Sequence, residues 1–163
     1  MVGSKLHFLA GKMAAGKSTF ARELAHTHGA MLLVEDEFLS KLYPGEIHGI
    51  SDYVKFSGRI KAALSDHIVS VLCSGISVVL DFPGNTVNQR NWFRSLFERA
   101  CVAHELHYLD VPDHLCKFGL IERSKSLPPG SPFTSEAEFE AITKYFQAPQ
   151  PEEGFNVIVH TRD

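Results

Sequence analysis

The chain has 163 residues, 44% of them hydrophobic, which suits one globular core, and no shift of composition along it argues for a second domain. A formal charge of −3 lacks the basic footprint of a general nucleic-acid binder, so small molecules or proteins are the expected partners. Cys73, Cys101 and Cys116 are widely spaced and contain no C-x-x-C, so neither a disulfide framework nor a zinc knuckle is indicated; with no secretion signal or membrane span in the pattern, the expected setting is the cytosol.

In chain order, "LHFLA" at 6–10 reads as a short buried strand, and Phe20, Ala21, Leu24 and Ala25 repeat at helical spacing over 17–28. Further apolar runs follow at 30–34 ("AMLLV"), 76–80 ("ISVVL"), 105–111 ("ELHYLDV") and 155–159 ("FNVIV"). Between them lie helical patterns at about 52–73, 86–101, 113–125 and 135–147. Strands alternating with helices predict an α/β fold: a five-stranded parallel sheet with helices on both faces. The Pro/Gly/Ser-rich stretch "SLPPGSPFTS" at 126–135 interrupts two helices, and a small lid over about 124–135 is expected there. Nine histidines are present, but none falls in H-E-x-x-H. On a strand, His104 and His107 of "HELH" face opposite sides, so no structural metal is expected from them.

The turn between the first strand and the first helix carries the chemistry. Gly11, Lys12, Met13, Ala14, Ala15, Gly16, Lys17, Ser18 and Thr19 spell G-x-x-x-x-G-K-[ST] and the residue after it, the phosphate-binding Walker A loop. Glycines at both ends let the backbone N–H groups converge on an anion, and the following helix aims its positive end at the same point. Lys17 is placed to reach the β- and γ-phosphates of ATP, and the Ser18 hydroxyl to ligate Mg2+. Asp81, ending the apolar "VVLD", is the second metal anchor, acting through water. Phe82 follows it where motor ATPases place a second carboxylate, which disfavours a power-stroke ATPase. "DFPG" at 81–84 fits the D-x-x-G of GTPases, yet no N-K-x-D occurs to read guanine.

With "GKMAAGKST", "VEDEFLS", "VVLDFPGNTVNQR" and "IERSKS…PF", the chain resembles small P-loop kinases of the nucleoside-kinase-like group: adenylate and gluconate kinases, chloramphenicol phosphotransferase, the zeta toxins and compact kinases often labelled AAA-family ATPases. The resemblance covers nearly all of the chain and implies a phosphotransferase moving the γ-phosphoryl of Mg·ATP to an alcohol group. It implies an acidic general base after the second strand, where Glu35, Asp36 and Glu37 stand; Asp36 is the best match and Glu37 the second choice. Arg123 matches the family's lid arginine, with Lys125 beside it. Arg59 lies on the helix that closes over the acceptor in such kinases, and Arg90 follows the Asp81 segment, placed to face acceptor or phosphates.

The acceptor-binding segment is expected at about 35–60. Its first part, 35–52, sets Glu35, Asp36, Glu37, Glu46 and Asp52 against Lys41, a rim suited to a cationic aminosugar of the aminoglycoside type; a solvated acidic face or helix start accounts for the same residues. A zeta-toxin-type kinase of nucleotide sugars and a non-catalytic nucleotide-binding regulatory module remain alternatives. No nucleic acid or membrane partner is expected, and a monomer is compatible with the sequence.

Overall fold

The computed structural model describes residues 3–127 and 135–162. Five parallel strands run in the order β2 (Met31–Val34), β3 (Val78–Asp81), β1 (Lys5–Ala10), β4 (Ala103–Asp110), β5 (Val157–Thr161). The expected strands are all present, with ends displaced by at most two residues. The helices are α1 (Lys17–His28), α2 (Glu35–Leu42), α3 (Ile50–Cys73), α4 (Val87–Ala100), α5 (Asp113–Ser124) and α6 (Glu136–Thr143). Of these, α2 was not among the expected helices, although a helix start was one reading of its acidic residues. Of the expected lid, residues 128–134 lie outside the described residues.

Alternation along the strands sorts the core into two faces. Leu6, Phe8, Val78, Leu80 and Leu106 point towards α3 and α4, meeting Phe56, Ile60, Ile68, Phe93 and Leu96. Leu9 and Val79 point the other way, onto Ala21 and Ala25 of α1, whose short side chains let the helix lie close to the sheet. A third cluster joins Ala15 to Leu109, Val111, Cys116, Leu120 and Phe139, so α5 and α6 brace the turn after β1. His104 and His107 face opposite sides as expected: His104 stacks on Phe97 of α4, while His107 sits against Phe20 of α1.

One expected site residue is a structural one. Arg90, read as facing acceptor or phosphates, is 0% exposed. Its Nε and Nη2 donate to the Glu153 carboxylate at 2.8 and 3.1 Å, and Nη1 donates to the Gly84 carbonyl at 2.8 Å. It falls on α4 at the same face as Phe93 and Phe97, three and seven residues on, so the helix turns it into the core, where a buried charge persists only with a partner of this kind.

The chain leaving β3 presses on β1. Phe82 is buried against Trp92, and a Cβ at Gly84 would clash with the Leu9 carbonyl oxygen and stand 3.0 Å from Phe93 Cε2. The glycine of "DFPG" is thus explained by backbone packing. Gly84→Ala should lower stability by about 1–3 kcal/mol, the usual cost of overpacking a core, measured as a lower denaturant midpoint with a native circular dichroism spectrum; an unchanged midpoint would refute the close approach.

Candidate active site

Six residues connect β1 to α1. A Cβ at Gly11 would lie 3.0 Å from the Leu109 carbonyl oxygen, and Gly16 has φ +99°, so both glycines are required by geometry. Ala14 also takes a left-handed conformation, with φ 62°. The turn is pinned from outside: Gly11 N donates to Asn85 Oδ1 at 2.8 Å, and Lys12 Nζ pairs with Asp113 of α5. Met13 and Ala14 pack on the Leu109 cluster, and Thr19 stands exposed on the first turn of α1.

Lys17 Nζ donates to the Gly11 carbonyl and, at 2.9 Å, to the Lys12 carbonyl. Burial lowers its pKa to about 8, with the Asp81 carboxylate acting in the opposite direction. Ser18 Oγ donates to Asp81 Oδ2 at 2.8 Å, so the serine of the loop and the aspartate ending β3 meet as the sequence pattern requires. Burial raises the Asp81 pKa, opposed by that hydrogen bond and by Lys17.

Strand order brings the second acidic group alongside. Val34, the last residue of β2, pairs with Asp81, so α2 starts beside it. Asp36 and Glu37 are exposed on the first turn of α2, where three carboxylates face the helix's positive end. Lys17 feels the charges of Asp81, Arg123 and Asp36 together, so four expected site residues share one electrostatic neighbourhood. Arg59 is exposed on α3 with its guanidinium over the Phe56 ring, 5.5 Å from the centroid, and is not drawn into that group.

Glu35 departs from expectation. It is buried, accepting from Tyr53 Oη and, at 2.7 Å, from Ser57 Oγ. Burial raises its pKa against the effect of both hydrogen bonds. Glu35 therefore ties α2 to α3 and leaves the acidic rim. Asp52 is likewise engaged, accepting from the His48 backbone N–H at 3.0 Å. The rim thins to Asp36, Glu37 and Glu46.

Sequence reading missed Asn85, whose only signal is its place just after "DFPG", and the Glu35–Tyr53–Ser57 set, for which the apolar phase of Glu35 with Phe38 and Leu39 was available. It also missed a cleft beside the loop, walled by Phe20, Leu109 and Val111 and edged by Thr19, Thr161 and Arg162.

Fold and site together define a P-loop protein with the architecture of the small nucleoside-kinase-like group. A family model for an AAA domain (AAA_33) matches residues 6–149. The chain belongs to this AAA domain family. No curated protein matches its sequence. Solved structures share its fold: a sugar kinase from Janibacter sp. HTCC2649 (16% identity, TM-score 0.66, covering 97% of this chain and 85% of that one); the APS kinase CysC of Mycobacterium tuberculosis with AMPPNP and APS (16%, 0.64, 100% and 91%); and Kti12 of Chaetomium thermophilum with ADP-AlF3 (17%, 0.67, 97% and 89%).

Lys17 gives the site a pH signature. Its folded pKa, about 8, lies below the ordinary 10.5, so between these values the unfolded chain binds more protons and stability rises with pH. Relative to Lys17→Met, the wild type should gain stability from pH 8 to 10.5, measured by denaturant unfolding at both ends; parallel pH curves would place the ammonium in water.

Proposed function

We propose that the protein transfers the γ-phosphoryl of Mg·ATP to a hydroxyl of a small molecule. The observation that carries this reading is the contact of Ser18 with Asp81 beside the loop, with α2, which bears Asp36 on its first turn, starting next to Asp81 across the β2–β3 pair. The backbone turn and the start of α1 bind the polyphosphate, and the apolar cleft between Phe20 and Val111 takes the base. Lys17 exchanges the Gly11 and Lys12 carbonyls for phosphate oxygens, and Arg123 adds a second positive charge where equatorial oxygens gather charge.

Ser18 and Asp81 fit Mg2+ in donor chemistry, a hydroxyl and a carboxylate 2.8 Å apart, both hard oxygens, with Asp81 holding the ion through water. The ion supplies neutralisation of phosphate charge. Asp36 takes the acceptor's proton, and Glu37 stands beside it towards the acceptor. Phe82 is 1% exposed, so the position next to Asp81 holds core packing and no group to polarise a water, which favours an alcohol acceptor over hydrolysis.

The acceptor sits between α2 and α3, near Arg59. Asp36, Glu37 and Glu46 favour a cationic aminosugar, on a rim thinner than the sequence count implied. Among the described residues no helix is long and apolar enough to cross a membrane. A nucleotide-sugar kinase would share the chemistry, whereas a regulatory module would need no base.

A screen of acceptors with γ-labelled ATP, read by mass shift, identifies the substrate. With it, Asp36→Asn should lower kcat by roughly 10²- to 10⁴-fold with ATP affinity nearly constant, and Asp81→Asn should weaken the magnesium dependence. Lys17→Ala should abolish transfer while the circular dichroism spectrum stays native. Wild-type turnover in Asp36→Asn would remove the base assignment, and wild-type turnover in Lys17→Ala would remove the reading altogether.

A further inference from the structure

A second group of ligand-bearing side chains lies away from the phosphate loop. His7 of β1 pairs in register with Glu105 of β4, and His107 stands two residues beyond Glu105 on the same face. The three project from one side of the sheet, the side covered by α1. Their atoms converge: His7 Nδ1 is 3.2 Å from Glu105 Oε1, His107 Nε2 is 3.4 Å from that same oxygen, and the two nitrogens are 3.4 Å apart.

This triangle is nearly equilateral. A proton bridges one edge of such a figure, whereas a cation just off its plane serves all three corners. Ligand bonds of about 2.0–2.1 Å at tetrahedral angles put neighbouring ligand atoms about 3.3–3.4 Å apart, matching these spacings. We propose that His7, Glu105 and His107 form a binding site for a divalent transition ion, Zn2+ or its first-row neighbours, with a fourth position left to water.

The surroundings are those of a ligand set. Lys5 Nζ holds the other carboxylate oxygen, Oε2, at 3.2 Å, which leaves Oε1 to the ion. His107 Nδ1 lies 3.1 Å from His160 Nε2, so its second ring nitrogen has the outer partner that metal-bound imidazoles keep. His7 and His107 are 1% and 4% exposed, so both rings are held in place by the packing around them. An open cleft lined by Lys5, His7, His28, Gly29 and Ser77 provides a path from solvent.

Two imidazoles and one carboxylate select Zn2+, Co2+, Ni2+ or Cu2+ over Mg2+, which separates this site from the oxygen pair at Ser18 and Asp81. His7 precedes Gly11 by four residues, roughly 13 Å of extended strand. The ion would cross-link β1 to β4 and brace the strand that carries the phosphate loop.

Untagged protein, treated with a chelator and dialysed, is titrated with Co2+ and followed by visible absorption, then with Zn2+ by calorimetry. The expected result is one equivalent of Co2+ with the strong absorption of four-coordinate cobalt, displaced by Zn2+, and a thermal midpoint raised by Zn2+. Glu105→Gln and His107→Gln, each with a native circular dichroism spectrum, should weaken Co2+ binding by more than about 100-fold and abolish the thermal shift. Asp81→Asn should keep the band. Absence of a stoichiometric band in the wild type, unchanged affinity in both ligand variants, or loss of the band in Asp81→Asn would overturn the site.

Discussion

The phosphate loop keeps its shape because the chain leaving β3 is locked against the end of β1. Gly84 has no side chain, so its backbone can press on the Leu9 carbonyl, and Asn85 then accepts from the Gly11 N–H. Remove that approach and Asn85 no longer reaches the first residue of the loop. Asp81, three residues before Gly84, is delivered to Ser18 by the same packing. Loop and metal anchor are therefore one mechanical unit, although they are far apart in sequence.

A buried cation secures this unit. Arg90 joins the Gly84 carbonyl on one side to Glu153 on the other, and Arg94 adds a bond to the Glu153 backbone. Removing one member of such a buried pair costs about 3–5 kcal/mol, because the other charge is stranded without water. An arginine that looks catalytic by position is thus spent on holding the turn after β3, and the short 3₁₀ segment Pro151–Glu153, itself near the surface, is tied to α4 through the Glu153 carboxylate. The Glu35–Tyr53–Ser57 set does comparable work on the acceptor side, fixing α2 against α3 with a carboxyl that the fold hides from solvent.

Much of this was legible beforehand, and the pattern of what was not has a physical cause. The Walker A residues lie within nine positions and define their own local geometry, so both the loop and its strand and helix were readable. Asp81 was readable because a carboxylate ending an apolar strand marks the open end of a parallel sheet. Arg90 and Glu35 were misplaced for want of a phase: each shares a helical face with apolar residues, and that periodicity, applied to them as it was to Phe20 and Leu24, turns both inward. The grouping of His7 with Glu105 and His107 was beyond reach, since it depends on the register between two strands, which residue spacing along one strand does not encode.

The central strand is also the first in the chain. Lys5 bonds to Ser77, 72 residues later, and to Glu105, 100 residues later. Pairings of such long sequence separation form only after much chain entropy has been lost, and they slow folding. During synthesis β1 must wait, unpaired on both edges, until β3 and β4 have emerged, because β2, the next strand made, pairs with β3 and not with β1. β1 precedes both of its sheet partners in the chain, and the phosphate loop that follows it is framed on both sides only once β3 and β4 are in place.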